Sequence, residues 1–204
     1  MRTDYFVAIV DDEPGMRVLM RRLLELQNLA VRCYDCAESL LRDDESVPFG
    51  CIVLDIALTG ISGIELLSEL RRRRTQIPIV MVSGRATVSD AVRSFQENAN
   101  AFLEKTFDNT EFVNTVTRLT NEWASKHSAR QKLVAKLSAL SPREREVLDA
   151  LVLGKKTIQI AHELEISPST VEKHRIRVFE KMKVDSVVQL VRMLADEQVR
   201  TELW

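Results

Sequence analysis

The sequence predicts two folds in series: a doubly wound α/β domain on a five-stranded parallel sheet, then an all-α domain of four helices. Three observations carry this. Five short strand-like runs, at Phe6-Val7-Ala8-Ile9-Val10, Ala30-Val31-Arg32-Cys33-Tyr34, Cys51-Ile52-Val53-Leu54-Asp55, Ile77-Pro78-Ile79-Val80-Met81-Val82 and Ala101-Phe102-Leu103, alternate with helical patterns. That alternation marks parallel strands covered on both faces. Beyond residue 138 the strand signal stops and capped helical patterns follow. Charge divides at the same place: residues 1–122 hold 14 basic and 19 acidic side chains, 123–137 hold 4 and 0, and 138–204 hold 11 and 11. These are the expected boundaries: domains at 1–122 and 138–204, with a helical linker at 123–137.

The 204 residues are 45% hydrophobic and 29% charged, with six Gly and five Pro, a composition that packs cores and excludes a disordered chain. No apolar run is long enough to cross a membrane, and Asp11-Asp12-Glu13 follows the first apolar run too closely for a signal peptide. A soluble cytoplasmic protein with no membrane partner is expected. Cys33 and Cys36 form a single CxxC, but no second pair or histidine stands at zinc-ligand spacing. Cys33 is expected in packing and Cys36 in a loop, with a redox dithiol as the alternative.

In the first half, Phe6 to Val10 ends on Asp11-Asp12-Glu13, and Pro14 opens a helix with Met16, Leu19, Met20, Leu23 and Leu24 at helical spacing. The third run ends on Asp55, before a loop and a helix carrying Ile64, Leu67 and Leu70. The fourth leads into Ser83-Gly84 and the fifth into Glu104-Lys105. Open α/β sheets place their chemistry at the C-terminal ends of the strands, so Asp11, Asp12, Asp55, Ser83 and Lys105 fall on one edge. Carboxylates so gathered repel one another unless a cation lies between them, and Mg²⁺ takes oxygen ligands of this kind. An acidic turn facing a helix dipole and a solvated strand-end Asp are the plainer readings. Arg71-Arg72-Arg73-Arg74 is expected to be a solvated helix end rather than a nucleic-acid patch.

Residues 110–137 place Phe112, Val113, Val116, Leu119 and Trp123 at helical spacing and continue into a basic amphipathic stretch, Arg130, Lys132, Leu133, Lys136 and Leu137. One long, stiff helix with a stutter at residues 125–128 is expected. Ser141-Pro142-Arg143-Glu144 then gives a cap, a first-turn proline and a capping-box glutamate. Gly154 is a stop, Thr157 a cap, and Ser167-Pro168 opens a helix to about Lys183. Two short helices around a turn at Glu165-Ile166-Ser167 follow the helix-turn-helix plan. The second carries five basic and two acidic residues; Val171, His174, Val178 and Met182 face inward and Lys173, Ile176, Arg177 and Glu180 outward.

From these strand-end residues, residues 1–122 resemble the receiver domain of two-component response regulators, a flavodoxin-like fold. The resemblance implies that Asp55 accepts a phosphoryl group from a histidine kinase. It also implies that Asp12, the Asp55 carboxylate and the Ala57 carbonyl hold Mg²⁺, with Asp11 acting through water. Lys105 and Ser83 would meet phosphoryl oxygens, and Phe102 is the aromatic that moves inward with Ser83; an ordinary core Phe is its equal alternative. Thr106 replaces the usual proline after the lysine, so a trans Lys105-Thr106 bond and a shorter lysine reach are expected. Thr59 stands where Pro is common, and Asn98, which tolerates positive φ, where Gly is common. Arg85 is expected to shield Asp55 or tune the acyl phosphate.

Residues 138–197 resemble the LuxR-type helix-turn-helix, in Leu140-Ser141-Pro142-Arg143-Glu144-Arg145-Glu146-Val147-Leu148, Ile160-Ala161 and Ile166-Ser167-Pro168-Ser169-Thr170-Val171-Glu172-Lys173-His174-Arg175. Together the halves are similar to the FixJ/NarL class, with residues 182–193 matching the FixJ branch. This implies a transcription regulator that binds DNA as a homodimer when activated. Lys173 and Arg177 would meet guanine edges, Ile176 a thymine methyl, and Ser169, Thr170 and Lys181 phosphates. Ile158 stands where a phosphate-touching Lys is common. A last helix, with Val187, Leu190, Val191 and Leu194, would pair DNA-binding domains or pack on its own domain. The receiver catalyses only its own phosphorylation and dephosphorylation, so no metabolic enzyme is expected. A Mg²⁺-dependent aspartyl phosphatase would want a carboxylate where Ala57 stands, and a receiver acting without phosphate, through protein contacts, is the nearer alternative.

Overall fold

The computed structural model describes residues 5–43, 47–73, 76–84 and 87–196, and its contacts divide the chain into two units, Met1–Ser125 and Lys126–Trp204. In the first, β1 (Phe6–Val10), β2 (Ala30–Tyr34), β3 (Phe49–Asp55), β4 (Ile79–Ser83) and β5 (Ala101–Glu104) alternate with α1 (Pro14–Glu25), α2 (Ala37–Asp43), α3 (Gly63–Arg72), α4 (Val88–Gln96) and α5 (Asn109–Ser138). All strands pair in parallel, in the order β2-β1-β3-β4-β5. The order reverses between β1 and β3, which is where open sheets of this kind leave a crevice at the strand C-termini.

Central strands buried on both faces need apolar residues throughout, and every residue of β3 and β4 is buried. One face packs Ile52, Leu54, Ile79 and Met81 against Leu40, Leu66, Leu67 and Leu70. The other packs Val7, Ile9, Val53 and Val80 against Met20, Leu24, Phe112 and Val116. α5 has no break at residues 125–128; its first turns fill this core, while Leu133 and Leu137 belong to a core of the second unit.

Four expectations are corrected. The fourth strand starts at Ile79, because Pro78 has no N–H to give the ladder, although its carbonyl accepts from Ile52 N–H at 2.9 Å. Cys33 is exposed, not packed, because β2 is an edge strand. Arg71 is not solvated: its guanidinium donates to the Asn98 carbonyl at 3.1 and 3.2 Å, the Ile77 carbonyl at 2.9 Å and Asn100 Oδ1 at 3.1 Å. Arg72 and Arg73 do face outward, both paired with Glu69. Thr157 is the first helical residue rather than the cap, which is Lys156, whose N–H bonds Gln159 Oε1 at 2.8 Å. Arg74 and Arg85 lie outside the described residues.

The second unit contains the end of α5, then α6 (Pro142–Val152), α7 (Thr157–Glu163), α8 (Pro168–Met182) and α9 (Val187–Asp196). Ser141 and Glu144 form the capping box of α6, and Gly154, at φ +75°, ends its turn. Leu190 of α9 is buried among Leu148, Val178 and Met182, while Val188 and Val191 stay exposed. This helix packs on its own unit and keeps an apolar edge.

Arg71 ties the ends of α3, α4 and β4 through one planar fork, a geometry that lysine cannot reproduce. Arg71→Ala is expected to cost the first unit about 2–3 kcal/mol, since it abandons several acceptors at once, and Arg71→Lys to recover less than half; urea unfolding followed by circular dichroism measures both.

Candidate functional site

The C-terminal edge of the sheet collects the predicted residues. β1 runs straight into Asp11, which is fully buried, and β3 ends on Asp55, 1% exposed. Between them, and across β4, comes Lys105, one residue past β5. Its Nζ stands 2.9 Å from Asp55 Oδ2 and 2.9 Å from Asp11 Oδ2, pairing with both carboxylates. Glu13 Oε2 is further away, at 3.7 Å. The Lys105-Thr106 bond is trans, as expected, but the shorter reach is not found: the lysine spans both carboxylates.

Charge does not balance here. Asp11, Asp12 and Asp55 each place an oxygen within 4.8 Å of the others, and among the described residues one ammonium, that of Lys105, pairs with them. Burial pushes the Asp11 carboxyl above its ordinary range, against the hydrogen bonds and charge of Lys105 and the Glu13 N–H. Burial also works against the Lys105 charge, but hydrogen bonds to Asp55 and Asp11 outweigh it and its pKa is raised. Among the described residues, the buried Asp11 Oδ2 meets the Lys105 ammonium at 2.9 Å. Three clustered hard oxygens carrying more negative charge than the one ammonium beside them fit a divalent cation such as Mg²⁺.

The surrounding backbone keeps the site open and ordered. Ala57 N–H donates to Asp55 Oδ1 at 3.2 Å. A Cβ at Gly63 would run into the Asp55 carbonyl, so α3 can start beside Asp55 only with glycine there. Arg17 donates to the Asp11 carbonyl from the first turn of α1. Ser83, 4% exposed, ends β4 one residue beyond Val82, the partner of Asp55, and its carbonyl accepts from Lys105 N–H at 2.7 Å. Phe102 is half-buried against the sheet core and lines an open groove with Thr87, Val88 and Ala91. Sequence reasoning passed over Gly63 and Arg17, since a glycine two residues beyond an apolar position and an arginine on an amphipathic helix carry no signal of their own.

In the second unit, α7 and α8 meet at a turn where Glu165 takes φ +53° and Ile166 N–H closes on the Ala161 carbonyl at 3.0 Å. Thr157 Oγ1 donates to Glu172 Oε1 at 2.7 Å, pinning the two helices. Val171, Val178 and Met182 are fully buried and His174 is half-buried, so the inward stripe stands. Lys173, Ile176 and Arg177 are exposed on the opposite face, and among the described residues Lys173 and Arg177 have no ion pair. At the start of α8, Ser167 Oγ accepts from Thr170 N–H at 3.2 Å and contacts the Ser169 and Thr170 hydroxyls at 2.9 and 2.8 Å. Lys181 differs: its ammonium lies 2.6 Å from the buried Glu144 Oε2 and 3.0 Å from the Ala139 carbonyl.

A parallel sheet with this acid and lysine cluster, followed by a helix-turn-helix with a free basic face, defines a two-part signalling regulator. Residues 7–117 match the response regulator receiver domain and residues 138–194 the luxR family of bacterial regulatory proteins. The transcriptional regulatory protein FixJ of Bradyrhizobium diazoefficiens is 33% identical over 95% of this chain and 96% of its own, and FixJ of Rhizobium meliloti is 37% identical over 94% and 95%. Among solved structures, the response regulator StyR matches with a TM-score of 0.71 at 32% identity, over 94% of this chain and 98% of its own. Full-length FixJ from B. japonicum matches at 0.58 and 32%, over 95% and 97%. The chain belongs to the FixJ-like response regulators, transcription regulators in which a receiver precedes a LuxR-type DNA-binding domain. Among the described residues, no helix is long and apolar enough to cross a membrane.

The hydrogen bonds from Lys181 and from Ser141 N–H hold the Glu144 carboxyl at about 2, against 4.5 ordinarily. A depressed carboxylate adds stability that is complete above its unfolded pKa and fades as pH falls toward the folded one. Glu144→Gln is therefore expected to cost the second unit about 1–3 kcal/mol at neutral pH. The gap from wild type should shrink below about pH 4.5 and close near 2, as read by urea unfolding across acid pH.

Proposed function

We propose that Asp55 accepts a phosphoryl group from the phosphohistidine of a partner histidine kinase, or from a small phosphodonor, and that this controls dimer formation and DNA reading by α8 in the cytoplasm. The observation that carries the reading is the arrangement of Lys105 Nζ 2.9 Å from oxygens of both Asp55 and Asp11 within a three-carboxylate cluster. Asp11, Asp12, the Asp55 carboxylate and the Ala57 carbonyl would hold Mg²⁺. Bound there, the ion supplies positive charge to the phosphoryl oxygens as they approach a pocket that is otherwise too negative.

An Asp55 carboxylate oxygen attacks phosphorus in line; the new P–O bond forms as the P–N bond to the donor imidazole breaks, and the imidazole leaves with that electron pair. Lys105, already held beside Asp55, neutralises one phosphoryl oxygen, and the Ser83 hydroxyl donates to another. Attack of water on the same phosphorus returns the carboxylate and releases inorganic phosphate. The receiver thus acts on itself and turns over no metabolic substrate. Phe102, beside the groove at Thr87 and Val88, is the aromatic positioned to follow Ser83.

DNA is the partner of the second unit. Lys173 and Arg177 meet guanine edges, Ile176 a thymine methyl, and Ser169 and Thr170 the phosphates at the entry of α8, with two units of a homodimer on half-sites about one helical turn apart.

Acetyl phosphate or phosphoramidate with Mg²⁺ is expected to add the mass of one phosphoryl group to the wild type and none to Asp55→Asn or to wild type in chelator. An adduct that persists in Asp55→Asn places the acceptor elsewhere; no adduct at all in the wild type leaves a receiver that works through protein contacts alone.

A further inference from the structure

We infer that Lys136 and Lys181 are positioning residues that fix the recognition helix by capping each other's helices, and that Lys181 does not act as a DNA-phosphate contact. The inference rests on the reading of α8 as the DNA-reading helix.

The carbonyls at a helix C-terminus lack intrahelical partners, and cations there also meet the negative end of the helix dipole. α8 ends with Lys183 in the left-handed region at φ +56°; Val184 N–H returns to the Phe179 carbonyl at 3.1 Å and Lys183 N–H to Glu180 at 3.2 Å. Those bonds leave the Met182 carbonyl, which accepts from Lys136 Nζ at 2.9 Å, with Met193 Sδ at 3.9 Å from the same nitrogen. α5 ends in the complementary way: the Ala139 carbonyl, one residue past its last turn, accepts from Lys181 Nζ at 3.0 Å. Each helix sends a lysine to the other's C-terminus.

The second lysine is further anchored. Glu144 Oε2, buried at the start of α6, accepts from Ser141 N–H at 2.7 Å and stands 2.6 Å from Lys181 Nζ. Three helix ends, of α5, α6 and α8, therefore converge on two ammonium groups, while Leu133, Leu137, Val178 and Met182 seal the apolar side. This lock sets where α8 ends relative to the rest of its unit, and hence the aim of Lys173, Ile176 and Arg177 on its outer face. Lys136 lies before residue 138, where the match to the luxR family begins. The last turn of α5 is thus part of the DNA-reading apparatus rather than a spacer.

Positioning and phosphate contact leave different marks on binding. Losing a phosphate contact weakens all DNA alike and lowers the salt slope by about one. Losing a positioning residue weakens the chosen sequence and leaves the slope unchanged. The probes are a duplex selected by the wild-type chain from a random-sequence pool and a scrambled duplex of equal length and composition, titrated over a range of salt. Lys136→Met and Lys181→Met, which keep the apolar stems, are each expected to weaken binding to the selected duplex by about tenfold, the scale of one charge-assisted hydrogen bond. The scrambled duplex and both salt slopes should be unmoved, and Lys136→Arg should restore binding to within about twofold of wild type. Unchanged affinity, a slope reduced by about one, or no rescue by arginine overturns the proposal. If a methionine variant unfolds the second unit, the corresponding glutamine variant, which keeps a donor, is measured by the same readings. Lys173→Ala serves as the control. If it too leaves the selected duplex bound normally, the reading of α8 itself fails; if it weakens binding while the clamp variants do not, only the clamp fails.

Discussion

One charge imbalance governs the first unit. Among the described residues, two carboxylates that are almost wholly buried, Asp11 and Asp55, share a single lysine, and a third, Asp12, adds to the excess. Buried charge is tolerated only where it is paired and hydrogen-bonded, and here two buried carboxylates divide one ammonium between them. The sheet bears this cost because its two apolar faces are continuous across β1, β3 and β4. A site left short of positive charge is suited to a divalent cation and to a reaction in which charge at Asp55 changes, and the position of Lys105 is what ties those two properties to one atom.

The second unit solves the opposite problem. Its buried carboxylate is matched, Glu144 with Lys181, and Glu172 accepts a hydrogen bond from the Thr157 hydroxyl. Lys173 and Arg177, by contrast, face outward without a partner among the described residues. Desolvated groups that are paired hold a scaffold in one conformation, and solvated groups that are unpaired are available to a polyanion. Unbalanced charge thus gathers at two places among the described residues, acidic at one sheet edge and basic along one helix.

Most of this was legible in the sequence because it is periodic or terminal. Runs such as Cys51-Ile52-Val53-Leu54-Asp55 encode a strand and its chemical end together, and Ser141-Pro142-Arg143-Glu144 encodes a helix start. Asn98, at φ +63°, occupied the left-handed position that its residue type allows. What escaped was long-range. Arg71 reads as one of four consecutive arginines, and only the fold brings the Ile77, Asn98 and Asn100 acceptors to it. Cys33 looks like packing until β2 is known to be an edge. Lys181 reads as a basic residue on a basic helix, and its diversion to Glu144, 37 residues earlier, has no local signature.

In the proposed reaction Asp55, and no neighbouring carboxylate, carries the transferred phosphoryl group. Brief exposure to phosphodonor and Mg²⁺, followed by borohydride, reduces an acyl phosphate to an alcohol and leaves a stable homoserine where the aspartate stood. Peptide mapping should find that product at Asp55 and only there; finding it at Asp11 or Asp12, or finding none while DNA binding still responds to the donor, would contradict the account.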